Sequence, residues 1–312
     1  MTLKEVAKAA HVSVSTASKA ITGSKDVSEK TRCMVSDTAR KLGYFADKKR
    51  VKQGNKSKKR FTVAIICPEV ISIHYAEKVT EFTDCIEKMG GECRIYICGF
   101  NKERRLAVIE ECDKDDRIDG IICLSGDEVT NTTPIIYLDV LAYPIIRNIS
   151  RGIRKAVEHL QELGHKKIGF AGEQNTYGRE ASFLDAVEDR SYVFRSDARF
   201  EECGRLAAEH YIRNSMPTAV ICAYDEIAFG LIKRFSEAGI RVPEDVSVVG
   251  INDIRSAPYC CGGLTTLRAS FNREPMELLE ELKKAIDKSR HVAIPFRFES
   301  ELIVRNTTAQ AK

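Results

Sequence analysis

No run of about eighteen apolar residues occurs in the 312-residue chain, so hydropathy offers no transmembrane helix and no membrane partner is expected. No basic segment leading into an apolar core opens it, because Met1 to Ala10 reads as an amphipathic helix, and a cytoplasmic protein is expected. The motifs of common catalysis are missing too. GxGxxG, Walker A, GxSxG and HExxH do not occur, and no carboxylate pair is marked out by its neighbours. Neither an enzyme nor a cofactor-binding protein is expected. His165, in a Gly-His pair between a helical stretch and a strand, reads as a structural residue. The eleven cysteines include no CxxC pair and no zinc-type Cys/His grouping. They are expected to be reduced thiols serving as small apolar side chains, without a metal; the adjacent Cys260 and Cys261 leave a redox role as the alternative.

What the chain does have is an uneven distribution of charge. Residues 1–60 carry sixteen Lys and Arg against five Asp and Glu, a net +11, while the remainder carries −7. A basic head on an acidic body points to a polyanion as the partner of the head alone, with nucleic acid the first candidate.

The head itself reads as three short helices. Leu3, Val6, Ala7 and Ala10 have the spacing of one helical face. His11-Val12-Ser13 then forms a turn in which Ser13 caps a second helix, from Val14 to about Thr22. A third starts at Ser28, places Val35, Ala39 and Leu42 on one side, and ends at Gly43, suited to a left-handed cap. Two helices joined by a tight turn, the second presented to the major groove, is the helix-turn-helix plan.

The wording TLKEVAKAAHVSVSTASKAITGSKDVSEKTR…ARKLGY resembles the N-terminal domain of the lactose-repressor (LacI/GalR) family. The resemblance implies that Val14, Ser15 and Lys19 face base edges. Lys19 can donate to guanine O6 and N7, Ser15 bonds either way, and Val14 offers apolar contact to a thymine methyl or else is a partly buried helix residue. Thr2, Ser13, Thr16, Ser18, Ser28 and Thr31 are suited to phosphates, which position without specifying. His11 departs from the Gly or Asn usual in that turn, so backbone strain is expected there. After Tyr44 the family has a hinge helix ending in a minor-groove Leu, and this chain departs from it. Lysines and arginines crowd Lys48 to Arg60 around Gly54 and Asn55, which predicts a weakly structured basic tether in which Lys48, Lys49 and Arg50 grip phosphates, or an ordinary solvated linker.

From Phe61 on, short apolar runs alternate with amphipathic helical stretches: FTVAIIC, CRIYICG, GIICLS and PIIYLD, then KKIGFAG, YVFRS, TAVICAY and DVSVVGI. Such alternation predicts two parallel sheets covered by helices, in two lobes with a cleft between them. AVEHLQELGHKKIGFAG, PTAVICAYDEIAFGLIKRFSEAGIRVPEDVSVVGIND, GGLTTLRASF and ELIVRNTT again resemble the same family, whose sensor shares its fold with periplasmic sugar-binding proteins. The expected fold is an all-α helix-turn-helix head plus an α/β two-lobed periplasmic-binding-protein-like domain with parallel sheets. The expected boundaries are 1–46 for the head, 47–60 for the linker and 61–312 for the body. The first lobe would hold about 61–148 and 272–289, the second about 149–270 and 293–312.

In such lobes ligands sit beyond the carboxyl ends of the strands. The resemblance carries the effector role to Arg151, Arg179, Tyr224, Asn252 and Phe271, with Asp225 beside Tyr224 either a contact or a plain helix cap. Arg179 and Phe271 agree with the family, whereas Arg151, Tyr224 and Asn252 stand where it often has Asp, Asn and Asp. A more positive cleft suits an anionic effector such as a sugar phosphate or sugar acid. A neutral sugar or nucleoside, and a regulator without a small ligand, stay open. The partners expected are double-stranded DNA, a small effector and a second copy of the chain. No heptad tail follows Thr308, so the assembly expected is a homodimer acting, by default, as a repressor.

Overall fold

The computed structural model describes residues 2–21, 27–41, 60–125, 131–138 and 144–312. They divide into two compact units, Met1–Lys59 and Arg60–Lys312, each treated by itself.

The smaller unit packs three helices: α1 (Leu3–Ala9), α2 (Val14–Ile21) and α3 (Glu29–Lys41). Their shared core is Val6, Ala7, Ala10, Ala17, Ala20, Val27, Val35 and Ala39. Small side chains let the three axes approach closely, and one spacing of i, i+3 on α2 brings Ala17 and Ala20 inward together.

The larger unit contains two sheets. The first runs β10 (Ala293–Phe296), β4 (Ile135–Leu138), β3 (Gly120–Cys123), β1 (Thr62–Cys67) and β2 (Glu92–Ile97), all parallel. Along β1 the pleat sends Val63, Ile65 and Cys67 to one face and Ala64 and Ile66 to the other. The first face is covered by α4 (Ile73–Lys88) and α10 (Pro275–Asp287) through Phe82, Ile86, Leu278 and Leu282, the second by α5 (Lys102–Lys114) through Ile109 and Cys112. Burial on both faces is why β1 reads as an unbroken apolar run.

The second sheet runs β11 (Phe298–Ile303), β9 (Thr265–Phe271), β8 (Ser247–Asn252), β7 (Ala219–Cys222), β5 (Ile168–Glu173) and β6 (Val193–Ser196). It is parallel except for β11, which runs antiparallel to β9, a departure from the purely parallel sheet expected. Around it lie α6 (Pro144–Glu162), α7 (Tyr177–Leu184), α8 (Phe200–Arg213) and α9 (Asp225–Glu237). The thiols of Cys203 and Cys222 are fully buried in its core, and burial pushes both thiol pKa values up.

Helix α6 begins at Pro144, a residue whose fixed φ suits a first helical position. One boundary differs from the expected ones. Residues 293–296, expected in the second lobe, pair with β4 of the first, because Ile294 and Phe296 complete that lobe's core. The chain therefore returns to the second lobe only at Arg297. There the two late crossings are tied: Asn272 N–H donates to the Arg297 carbonyl at 2.9 Å and Arg297 N–H donates to Asn272 Oδ1 at 2.7 Å.

Candidate DNA-contacting face and inter-lobe cleft

Each helix start in the head is built by local side-chain capping. Thr2 Oγ1 accepts from Glu5 N–H while Glu5 Oε2 accepts from Thr2 N–H at 2.6 Å, the reciprocal capping box that closes α1. Ser13 Oγ accepts from Thr16 N–H at 3.0 Å, and Ser28 Oγ from Thr31 N–H at 3.3 Å. The hydroxyls of Thr16 and Thr31 bond back to those serines at 2.8 Å. Thr2, Ser13 and Ser28 are thus caps first, though all three are exposed and keep lone pairs toward solvent. In the turn, His11 has φ +51°, the left-handed conformation expected to strain a non-glycine residue.

With Ala17 and Ala20 turned inward, α2 presents Val14, Ser15 and Lys19 outward, and Ser18 half-buried beside them. Val14 is 43% exposed. An apolar group, a hydroxyl and an ammonium on one exposed face is a surface able to read thymine methyl and guanine edges. The proposed contacts of Lys48, Lys49 and Arg50 lie outside the described residues, as do the tether and the Gly43 cap.

In the larger unit a cavity of about 610 Å³ opens between α4 of the first lobe and the β8–β9 region of the second. Its polar lining is Glu77, Lys78 and Glu81 on one side and Asn252, Asp253, Arg255, Arg268 and Ser270 on the other. Each cation has a carboxylate neighbour: Lys78 with Glu81 at 2.9 Å, Arg268 with Asp253 at 2.8 Å, and Arg255 with Glu77 at a looser 3.8 Å. Buried His74 adds a neutral imidazole, since burial first, then Arg179 and Lys78, depress its pKa to about 3.

Of the six effector candidates, Asn252 alone lines this cavity. Arg179 lies behind it. Its guanidinium bonds the Ala223 carbonyl and donates to Asn252 Oδ1 at 3.0 Å, and it stacks 4.8 Å from the Tyr224 ring. Tyr224 precedes α9, and burial raises its phenol pKa. Phe271 joins Phe82 and Phe296 in an aromatic cluster at the crossing, beneath the Lys78 ammonium at 4.7 Å. Arg151 is exposed on α6 and takes no part in the lining. Asp225 is wholly buried and serves as a tie: Oδ1 accepts from Thr266 Oγ1 at 2.5 Å and Oδ2 from Ile254 N–H at 2.8 Å. Its burial pushes its pKa up to about 7, against the pull of those two bonds. It is a structural anchor of the β8–β9 region, more than the helix cap weighed from the sequence.

Sequence reasoning missed the charged groups at the strand ends. Glu69 follows β1, Glu173 ends β5, and Arg199 precedes α8 and bonds both. The signal was available for the acids, because each stands at the carboxyl end of a strand where the ligand rule points. Among the described residues no helix is long and apolar enough to cross a membrane, and no cluster of His, Cys, Asp and Glu is placed to hold a metal.

Comparisons with known proteins agree on both units. Residues 2–47 match the model of bacterial regulatory proteins of the lacI family, and residues 157–308 match the periplasmic binding protein-like domain. The chain is 28% identical to the HTH-type transcriptional repressor CytR of Escherichia coli K12, covering 98% of this chain and 96% of CytR. It is also 28% identical to the repressor PurR of Actinobacillus pleuropneumoniae serotype 3, covering 98% of each. In fold it is similar to the lac repressor dimer bound to operator and the anti-inducer ONPF, with TM-score 0.64, 22% identity and 99% of both chains covered. The CelR–cellobiose complex is similar too, with TM-score 0.61, 24% identity, and 98% and 99% covered.

Proposed function

Because the chain belongs to the lactose-repressor (LacI/GalR) family of DNA-binding transcriptional regulators, we propose that it acts as a cytoplasmic repressor. It binds a two-fold symmetric site on double-stranded DNA as a homodimer, and a small molecule in the inter-lobe cleft tunes that binding. The observation that carries this reading is the outward face of α2, where Val14, Ser15 and Lys19 stand on a helix pinned by the Ser13 cap and the Ala17 and Ala20 contacts.

Dimerisation is supported by an apolar edge. On β2, the last strand of its sheet, Ile95 and Ile97 are exposed, as are Phe100 just after it and Leu106 on α5. An unpaired strand edge of that character is stabilised by a self-complementary partner. For the effector, every cation lining the cavity faces a carboxylate, which favours a neutral polyhydroxyl ligand, a sugar or nucleoside, over a phosphate.

Selection of bound duplexes from a random pool tests the DNA reading. Enrichment of a symmetric site, with Lys19→Ala relaxing one symmetric base pair, is the expected result; recovery of no preferred sequence by folded protein would refute it. Lys48, Lys49 and Arg50 add phosphate contacts in this reading, so neutralising them weakens all sequences alike and flattens the salt slope by about 0.9 for each phosphate left without its cation. For the effector, neutral sugars and nucleosides are expected to raise the melting temperature through binding to the native state, and sugar phosphates are not.

A further inference from the structure

Beyond the strand ends, the Arg199 side chain joins the two lobes. Arg199 belongs to the second lobe and lies before α8. Its Nη1 and Nη2 donate to Oε2 and Oε1 of Glu69, in the first lobe, at 2.6 and 2.9 Å. Its Nε donates to Oε1 of Glu173, at the end of β5, at 3.0 Å. The Phe200 N–H takes the other Glu173 oxygen at 3.3 Å, and the guanidinium rests 4.3 Å from the Phe200 ring. The side chains of Glu173 and Glu69 are 2% and 13% exposed, so water competes poorly for either carboxylate.

The guanidinium uses all three of its nitrogens, two of them in a parallel fork on one carboxylate. That geometry suits a planar donor and not an ammonium. The charge neutralised is a pair of carboxylates brought together from different lobes, so the bridge exists only while the lobes are together. A second contact crosses nearby. Glu226, at the start of α9, is 3% exposed with neither carboxylate oxygen hydrogen-bonded, and it lies by the backbone N–H of Ile73, where Ser72 gives α4 no side-chain cap. Arg255 also reaches Glu77 across the lobes, but only at 3.8 Å, so the close grip is that of Arg199.

We propose that Arg199 is an internal ligand of the cleft, a guanidinium supplied by the chain itself that holds the lobes closed where an effector's polar groups would otherwise meet Glu69 and Glu173. The inference rests on the reading of the cleft as the effector site. It assigns to these strand ends a specificity for guanidinium, leaves the cavity beside α4 for the effector, and makes closure a preference of the chain that an effector adjusts.

Hydrogen exchange of the full chain, followed in the segment 68–75, tests this. Arg199→Ala is expected to speed exchange there by about tenfold or more, the order set by removing its two charge-assisted hydrogen bonds to Glu69, and Glu69→Gln to speed it by less from the opposite lobe, because the amide keeps one acceptor oxygen. Millimolar methylguanidinium is expected to restore slow exchange in Arg199→Ala, while potassium at equal ionic strength does not. Unchanged exchange in both variants would overturn the proposal, and so would equal rescue by potassium, which would reduce the bridge to unspecific screening. If Arg199→Ala fails to fold, Glu69→Gln carries the test, because it leaves the start of α8 intact. Neither DNA nor an effector enters the measurement, so failure of the effector reading shows separately, as the absence of any ligand-induced rise in melting temperature.

Discussion

Gly204 on α8 and Gly230 on α9 fit each helix against the backbone of the other. A Cβ on Gly204 would stand 1.9 Å from the Ile227 carbonyl oxygen, and one on Gly230 would stand 1.9 Å from that of Glu201. Neither clash is with a side chain that could turn away. Gly204→Ala or Gly230→Ala therefore has to push the two helices apart, at a cost of about 3 kcal/mol or more. Urea unfolding of the two variants checks this, and a loss under about 1 kcal/mol would show that the helices separate easily.

Asp225 gives the stability a definite dependence on pH. Its native pKa, raised by burial to about 7, exceeds the ordinary carboxylate value of 3.8. The native state therefore holds this proton more firmly than the unfolded chain, and the contribution is full below pH 4 and lost as pH rises toward 7. Asp225→Asn is expected to flatten the stability profile over that window while weakening the tie to Ile254 N–H. Unfolding free energies at pH 4.5, 6 and 7.5 for both proteins measure it; parallel profiles would contradict the assignment.

His165 closes the C-terminal segment onto the second lobe. Its Nδ1 meets Thr218 Oγ1 at 3.0 Å, and its Nε2 meets Ser247 Oγ at 2.9 Å and the Ala309 carbonyl at 3.0 Å. Burial lowers its pKa below the ordinary imidazole value. His165→Phe leaves the polar partners without their bonds and is expected to cost about 2 kcal/mol. The accompanying sign is faster amide exchange at Ala309 and Ala311, which a purely local loss of packing does not produce.

In the head, Ser13→Ala removes the cap of α2 and is expected to destabilise the fold by about 1 kcal/mol. Ser15→Ala touches no described hydrogen bond and is expected to leave stability unchanged. Thermal unfolding of the two variants separates the capping role from the outward one, and equal losses would argue against the assignment.

The helix starts were legible because their signals are local. Ser13 and Ser28 sit three residues before the hydroxyls they meet, and Ala17 and Ala20 mark an inward face by spacing alone. The strands of the larger unit were legible as apolar runs. What the sequence hid is set by partners far along the chain. The residues of β10 join the first sheet because Ile294 and Phe296 fit its core, and no nearby residue announces that. Glu69 and Arg199 are 130 residues apart, so their bridge has no spacing to read. Arg151 stands exposed on α6, apart from the cavity lining, and no spacing in the sequence announces that.

The late return of β10 and β11 bears on how the protein is made. Each lobe is split in the chain: β4 at Ile135–Leu138 receives β10 only from Ala293–Phe296, and β9 receives β11 only from Phe298–Ile303. A ribosome needs on the order of ten seconds to add the residues between β4 and β10. Throughout that interval the nascent first lobe carries the open edge of β4, a site for mispairing with another strand. Synthesis from the amino end thus completes the head long before either lobe of the larger unit can close its sheet.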